Sequence, residues 1–434
     1  MLLVSTTMYK RIRLLVLFGS SFMVQTQAQN LNSAYSRYGL GDIVPSQNIL
    51  TRGMGGVGAA YYDYSTVNFL NPASYARLQA TTLDIGIELD TRSIKSTNPP
   101  KKFSAYSPMI SYVQLGLPLK KSGGWGMNVG LRPITRINYK IEQNERHVDI
   151  DSIHTLYEGS GGAYEAYIGT GFTVLKNLSV GVNVGYLFGS KDYSSKRSFV
   201  NDSVFYYPSN YETKAHYGGL LLNAGIQYTA KLNKSTWLRF GAYGNLESSL
   251  HANRDYLNET FTYGSSGSTS TIDTIKYVED APGKVKYPAS FGAGIIYDKL
   301  GKWMIGVDYS TQKWSQYRFF DETDEVRDSW TLHLGTQLLP KGGKNYWSNV
   351  GFRTGVSYGT DYISVDQDLK KWSVSVGAGL PMRKPAYSNQ FSVINTTFEF
   401  GQRGDKNSLV RESFFQIAVG LSLSDIWFVK RKYD

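Results

Sequence analysis

Apolar and polar residues alternate with a period of two along most of this chain, and this pattern constrains the fold more than any other feature. In residues 177–192 the even positions from Leu178 to Phe188 are apolar, and the odd positions carry Ser, Gly and Asn, with Leu187 as the exception. Such alternation gives a β-strand one apolar face and one polar or small face. We find about 14 segments of this kind from about residue 81 onward, and no sustained helical period among them. The segments lie near residues 81–95, 105–119, 123–139, 163–176, 177–192, 212–232, 235–250, 285–299, 300–315, 328–340, 346–361, 371–382, 389–404 and 411–429.

The connections between these segments alternate between short and long. Residues 118–124 and 176–177 are short connections, whereas residues 140–162, 190–211 and 251–284 are long ones. Outer-membrane barrels have an even strand number, short periplasmic turns and longer extracellular loops. The sequence therefore predicts an all-β fold, a transmembrane antiparallel β-barrel of about 14 strands. The alternative is a soluble β-sandwich or propeller, which gives no reason for the alternation of short and long connections.

The composition fits a barrel in which only alternate residues face lipid. Aromatic residues make up 14% of the 434 residues, yet the mean hydropathy is −0.31. Disordered chains are poor in aromatic residues, and helical membrane proteins need runs of about 20 apolar residues. The chain has no cysteine, which excludes disulfide frameworks and cysteine nucleophiles. Basic residues collect at the predicted short turns, and we find no nucleic-acid-binding module. These turn residues are Lys120, Lys121, Lys176, Lys231, Lys234, Lys299, Lys302, Lys341, Lys344, Arg383 and Lys384.

The first residues of the chain resemble a secretory signal peptide. Lys10, Arg11 and Arg13 precede a short apolar run over residues 14–24, and small residues precede a cleavage point after Ala28. Basic, apolar and small residues in this order are typical of cleaved export signals. We therefore assign residues 1–28 to a signal peptide, with translation starting at Met1 or Met8, and expect export to the outer membrane of a Gram-negative bacterium.

Residues 29–80 do not alternate and form a separate region. They contain the run Arg52-Gly53-Met54-Gly55-Gly56-Val57-Gly58-Ala59, followed by Asn71-Pro72-Ala73. The literal GxGxxG of Gly53, Gly55 and Gly58 lacks the strand–loop–helix context of a dinucleotide site. Glycine lets backbone segments approach closely in a narrow space, and an Asn-Pro pair favours a turn or an extended dipeptide. These properties predict a folded plug.

At these residues the chain resembles the FadL-type family of outer-membrane long-chain fatty-acid transporters. The glycine-rich run and Asn71-Pro72-Ala73 are similar to the N-terminal signature of that family, although Ser74-Tyr75-Ala76 departs from its usual Gly-Leu or Gly-Met. The resemblance implies residues 29–80 as a hatch in the lumen and residues 81–434 as a 14-stranded barrel. The leader and the tyrosine-rich loops are similar to Bacteroidetes members, some of which serve the type IX secretion system. The expected hatch residues are Gly53, Gly55, Gly56, Gly58, Asn71, Pro72 and Ala73.

Alternation also predicts which charged residues face the lumen. These candidates are Asp84, Glu88, Arg132, Asp308, His333 and Arg353. A buried arginine can hold a carboxylate ligand with two hydrogen bonds. The interpretation we favour is a structural network around the plug, in which Arg132 or Arg353 pairs with Asp84, Glu88 or Asp308.

Enzymatic and metal-binding motifs are weak in this chain. Gly355-Val356-Ser357-Tyr358-Gly359 matches GxSxG, but it falls inside an alternating strand and not on the sharp turn that a nucleophile elbow needs. His147 and His154 lie in a predicted loop with Asp149 and Asp151, and a solvated loop explains them better than a metal site. We therefore predict no enzymatic activity, no metal and no cofactor.

Two functions stay open at this point. The first is an outer-membrane channel for passive uptake of hydrophobic compounds such as long-chain fatty acids, which would pass the hatch or a strand kink into the bilayer, as the resemblance implies. The alternative is a partner protein of the same fold in a secretion or assembly machinery of the type IX kind. The expected partners are outer-membrane lipids and lipopolysaccharide, a hydrophobic small molecule in the first case, and a machinery protein in the second.

Overall fold

A closed antiparallel β-barrel of 14 strands forms the body of the protein, as the alternation predicts. The computed structural model describes residues 33–97, 100–120, 123–147, 151–200, 204–264, 268–340, 342–343, 345–365, 367–382 and 390–426. The assigned signal peptide, residues 1–28, lies outside these residues.

Each strand pairs with its neighbours in chain order, and β14 pairs with β1 along its whole length to close the barrel. Strands β7 and β8 are each interrupted by two residues. The strands are β1 Thr81–Ser96, β2 Lys101–Pro118, β3 Trp125–His147, β4 Asp151–Leu175, β5 Leu178–Val200, β6 Ser209–Lys231, β7 Thr236–Asn245 and Ser248–Tyr263, β8 Thr269–Tyr287 and Ser290–Lys299, β9 Trp303–Gln312, β10 Ser329–Leu338, β11 Gly351–Val365, β12 Gln367–Pro381, β13 Phe391–Arg403 and β14 Val410–Asp425.

The remaining elements are short. Two-residue strands occur at Asp42–Ile43 and Arg318–Phe319, and one α-helical turn at Ile49–Arg52. Four 3-10 turns complete the described residues: Ala34–Arg37, Pro72–Arg77, Trp314–Gln316 and Tyr346–Asn349. None of the helices among the described residues is long and apolar enough to cross a membrane.

Burial alternates along the strands in the predicted sense. On β5, Val182 and Val184 are exposed on the outer surface, whereas Asn183 between them is buried on the inner side. The apolar residues therefore face outward toward lipid, and the small and polar residues face the interior. This arrangement explains how a chain of negative mean hydropathy forms a membrane barrel.

The predicted long connections at residues 140–162, 190–211 and 251–284 are wrong, because these stretches are mostly strand. β3 and β4 leave only residues 148–150 between them, and β7 and β8 leave only residues 264–268. Beyond the bilayer both faces of a strand meet water, so the alternation that marks a membrane strand disappears there. The segment between β9 and β10, residues 313–328, is a long connection.

The barrel wall is incomplete between β2 and β3. Residues 113–118 of β2 pair with residues 126–131 of β3, but residues 101–112 and 132–147 do not pair with each other. The two-residue strand Asp42–Ile43 pairs with β3 instead. It therefore covers part of the unpaired edge of β3 from inside the barrel.

Closure of the barrel can be tested by cross-linking, because the chain has no cysteine of its own. Ser93 of β1 lies directly opposite Ser413 of β14, and opposed residues in antiparallel strands have Cα atoms about 4.5–5.5 Å apart, within disulfide range. We expect the variant with Ser93→Cys and Ser413→Cys to form an intramolecular disulfide in membranes, detected as a mobility shift that reductant reverses. The control pair Ser93→Cys and Ser424→Cys should not cross-link, since Ser424 lies opposite Thr82. Efficient cross-linking of the control pair alone would contradict this register.

Candidate functional site: the barrel interior

Residues 33–80, here called the inner segment, lie against the inward-facing residues of the barrel. Large apolar residues of this segment are completely or almost completely buried, among them Leu40, Ile49, Val67 and Tyr75. The segment contacts strands on different sides of the barrel, since its backbone or side chains approach glycines of β1, β5, β7, β10 and β11. The interior of the barrel is therefore where the candidate site lies.

The glycine-rich run packs backbone against backbone. Gly55 and Gly56 have positive φ angles of 65° and 92°, which favour glycine over other residues. A side chain on Gly355 of β11 would collide with Met54 and Gly55, and one on Gly335 of β10 would collide with Met54. Glycines on both sides thus allow an approach that no larger residue permits.

Asn71, Pro72 and Ala73 form the second contact region of the inner segment. The Asn71 side chain donates hydrogen bonds to the carbonyl oxygens of Ala59 at 2.7 Å and of Ile226 at 3.2 Å, and accepts one from the Ala73 amide at 3.1 Å. Pro72 occupies the first turn of the 3-10 helix that Asn71 caps, where its missing N–H has no intrahelical role. The amide thus links two turns of the inner segment to the wall.

Three of the predicted lumen-facing residues hold the inner segment. Glu88 of β1 forms a buried ion pair with Arg52. Asp308 of β9 accepts hydrogen bonds from the backbone amides of Gly58 at 2.7 Å and Ala59 at 2.6 Å. The Nδ1 atom of His333, on β10, lies 2.7 Å from the carbonyl oxygen of Gly55.

The ion pairs that we predicted for the two arginines are wrong. Arg132 pairs with Glu165 of the neighbouring strand β4, with 2.8 Å between nitrogen and oxygen. Arg353 donates hydrogen bonds to the amide oxygens of Gln337 at 2.7 Å and Asn395 at 3.0 Å. Nearest neighbours on adjacent strands satisfy these groups, and alternation gives the face of a residue but not its partner.

Asp84 also forms hydrogen bonds and no ion pair among the described residues. Its carboxylate accepts hydrogen bonds from Gln114 at 3.0 Å and from Ser422 at 3.0 Å. It therefore links β1 to both of its neighbours, β2 and β14, and does not contact either predicted arginine.

Arg52 has more than one partner in the interior. Its guanidinium also lies 3.2 Å from Glu399 of β13 and donates a hydrogen bond of 2.7 Å to Gln416 of β14. The side chains of Arg52 and Glu88 are 3% and 1% exposed, so this charge pair is almost completely removed from water. A single residue of the inner segment is thus tied to three barrel strands.

A second ion cluster was missed by the sequence analysis. Asp42 of the inner segment pairs with Arg92 of β1 and with Arg403 of β13, both at 2.7 Å. Arg403 also pairs with Asp361 of β11 at 2.9 Å. Burial raises the pKa of the Asp42 carboxyl, but Arg92 and Arg403 outweigh this effect and hold that pKa well below its usual range. Extending the alternation of β1 from Glu88 to Asp90 and Arg92 would have revealed this inward-facing charge.

Apolar side chains fill the end of the barrel at which residues 313–328 connect β9 to β10. Trp314 and Tyr317, from the connection between β9 and β10, are buried together with Tyr362 of β11. The rings of Trp314 and Tyr362 are 4.2 Å apart between centroids. The Tyr317 hydroxyl donates a hydrogen bond of 3.2 Å to the Gly39 carbonyl, so this apolar cluster also contacts the inner segment.

A cavity of about 250 Å³ lies in the interior. Its lining is shared by the two ion clusters, by His333 and by the pair of Arg132 and Glu165. Arg132 also stacks over the Phe69 ring, 4.9 Å from its centroid. The cavity is therefore bordered by paired charges of both signs.

The other motifs of the sequence lie elsewhere. Ser357 is in the middle of β11 and shares a hydrogen bond of 2.7 Å with Ser373 of β12, so it is not on a turn. His154 lies on β4 and contacts Asn144 at 2.7 Å. Among the residues that the structure describes, no group of three or more His, Cys, Asp or Glu side chains could hold a metal ion. Asp149, a part of that motif, lies outside the described residues.

The buried pair of Arg52 and Glu88 gives a test of this arrangement. We expect Arg52→Ala to lower the free energy of unfolding by about 3–5 kcal/mol, because Glu88 and Glu399 lose their counter-charge in a buried place. Urea unfolding of the purified barrel in detergent, followed by tryptophan fluorescence, measures the loss. The matched control is Arg146→Ala at the exposed end of β3, which should change stability by less than about 0.5 kcal/mol. Equal stability of the two variants would contradict the role of Arg52.

Similar proteins are known at the level of family and fold. A family model described as BamG matches residues 8–434. The toluene transporter TodX of P. putida is 16% identical and has a TM-score of 0.59, with 88% of this chain and 99% of TodX covered. A FadL homologue of Pseudomonas aeruginosa is 13% identical with a TM-score of 0.58, and the match covers 89% of this chain and 100% of the homologue.

A third solved structure, the CymD monoaromatic hydrocarbon channel, is 18% identical with a TM-score of 0.54. The match covers 90% of this chain and 99% of the CymD chain. TodX is described as a transporter and CymD as a channel, and at such identities the likeness shows the fold. No curated protein matches the sequence. Because the family model spans nearly the whole chain, this protein belongs to the BamG family, and it has the outer-membrane barrel fold of the FadL-type channels.

Proposed function

We propose that this protein is a closed outer-membrane barrel that works as a partner protein in a secretion or assembly machinery. The observation that carries the proposal is the set of paired charges on the lining of the interior cavity, Arg52 with Glu88 and Glu399, and Arg132 with Glu165. The inner segment acts as the plug of this barrel. The protein then acts through its outer surfaces and not through passage of a solute.

Hydrophobic ligands need a different kind of site. Pockets for small molecules are lined mainly by apolar and aromatic side chains with a few polar groups. A hydrocarbon in this cavity would displace water from the charged groups and form no hydrogen bonds with them. The desolvation of these groups would make its binding free energy unfavourable. Aromatic side chains such as Tyr287, Phe291 and Tyr362 also line this cavity, but charged side chains of both signs lie between them.

The relation to known proteins is compatible with this proposal. The sequence matches the BamG model along nearly its whole length, whereas the hydrocarbon channels are less than 20% identical and share the fold. One barrel fold can carry different functions, so function follows from the site. Here the site is an interior cavity with paired charges on its lining.

Affinity purification from native outer membranes tests the proposal. A tagged copy of the mature protein is extracted in mild detergent after brief chemical cross-linking. We expect one or more outer-membrane proteins to co-purify in fixed proportion and to persist through gel filtration. Elution of the barrel alone, with a hydrophobic small molecule bound inside it, would contradict the proposal. A tagged unrelated outer-membrane barrel from the same cells is the control for general association.

Passive uptake of hydrophobic compounds is the second candidate function. The separated wall between β2 and β3 favours it, because a second cavity of about 190 Å³ lies there beside Ser107, Arg136 and Tyr164. Such an opening would let a compound leave the lumen sideways into the bilayer, as the FadL resemblance implies. Long-chain fatty acids as the ligand remain a prediction.

Uptake measurements separate the two candidates. Cells with and without the protein are compared for accumulation of radiolabelled oleate and of toluene. A partner role predicts equal uptake once envelope integrity is matched, whereas a channel predicts a clear loss of uptake without the protein. The control is the Arg146→Ala variant, which should restore the wild-type behaviour in either case.

A further inference from the structure

We propose that one rim of the barrel binds the anionic headgroups of phospholipids in the periplasmic leaflet. This rim carries the turns from β2 to β3, β4 to β5, β6 to β7 and β8 to β9, and it lies opposite the connection between β9 and β10. Six lysines, here called the lysine ring, lie on this rim. The members are Lys120 between β2 and β3, Lys176 between β4 and β5, Lys231 at the end of β6, Lys234 between β6 and β7, Lys299 at the end of β8 and Lys302 between β8 and β9. All are exposed except Lys299, which is half-buried. This binding is independent of which proposed function holds.

Aromatic side chains set the depth of the ring in the bilayer. Trp125, Phe172, Tyr228 and Trp303 face outward near the same turns, with exposures of 50%, 44%, 44% and 36%. Aromatic residues at outward-facing positions mark the boundary between hydrocarbon and headgroups in outer-membrane barrels. The lysines follow or precede them by a few residues, so their ammonium groups reach the headgroup level along their long side chains.

The ring carries uncompensated positive charge. Among the described residues none of its six lysines forms an ion pair, unlike Lys196, Lys214 and Lys313, which pair with carboxylates elsewhere. The buried Asp298 at this end is already paired with Arg239. A basic residue near an anionic lipid surface is attracted to it, and the attraction falls with salt.

The distribution of the lysines favours lipid over a protein partner. They occupy the successive short turns from β2 to β9, more than half of the circumference. Lipids surround a barrel and can contact all of these turns at once, whereas a docked protein contacts one arc. The opposite end of the barrel carries both signs of charge, with Lys276 and Glu279 exposed on the same strand, so the basic excess is local to this rim.

Native mass spectrometry of the full mature protein tests the inference. The protein is exposed in detergent to equal amounts of phosphatidylglycerol and phosphatidylcholine with identical acyl chains, and the ratio of the two bound lipids is measured. We expect bound phosphatidylglycerol to exceed phosphatidylcholine by about threefold or more at low salt. In a variant with Lys176, Lys231, Lys234 and Lys302 each changed to Gln, the ratio should fall toward one.

Two controls make the test specific. A matched variant changes four exposed lysines of the other end, Lys101, Lys102, Lys276 and Lys284, to Gln, and its ratio should stay at the wild-type value. Changing the four ring lysines to Arg keeps the charge and should keep the preference, which excludes a folding defect as the cause. Equal binding of both lipids by the wild type, or an unchanged preference in the ring variant, would overturn the inference. Loss of a stoichiometric acidic protein from the membrane extract of the ring variant, without a change in lipid ratio, would assign the ring to a protein partner and would equally overturn it.

Discussion

Burial of charge inside the barrel is the constraint on which the rest of this structure depends. Arg52 enters the interior on the inner segment, and Glu88, Glu399 and Gln416 on three strands converge on it. An isolated buried charge is far costlier than a paired one. The inner segment and the barrel therefore need each other, because removing either would leave carboxylates or guanidinium groups without a partner. The same holds at Asp42, which Arg92 and Arg403 share.

The close approach of backbones makes this pairing possible. Gly335 and Gly355 of the wall and Gly55 of the inner segment leave no room for side chains between them. Because the backbones meet there, the longer side chains around them reach across to their partners. Three kinds of contact thus hold the interior together: backbone contacts at the glycines, ion pairs and packed aromatic rings. The remaining cavity has both paired charges and apolar side chains at its border.

The sequence predicted the architecture because period-two alternation reports which face of a strand meets lipid. Closure, strand number and the inward direction of Glu88, Asp308 and His333 all follow from that one pattern. The extensions of β3 to β8 beyond the bilayer were not predicted, because a strand with water on both faces has no alternation of apolar and polar residues. The partner of each charge escaped it too. Arg132 pairs with Glu165 on the adjacent strand. Arg52 pairs with Glu88, which is 36 positions away in the sequence. The pairing of Arg52 depends on the path of the inner segment inside the barrel, and no local sequence pattern predicts that path.

Electrical conductance across a planar lipid bilayer tests the central claim most directly, that the inner segment and its ion pairs seal the barrel. The full-length mature protein is inserted from detergent and the current is recorded at neutral pH, beside a variant that lacks residues 33–80. We expect no stable conductance steps from the full-length protein and open-pore steps from the shortened one. Persistent open-pore steps from the full-length protein, equal in size to those of the shortened variant, would contradict it.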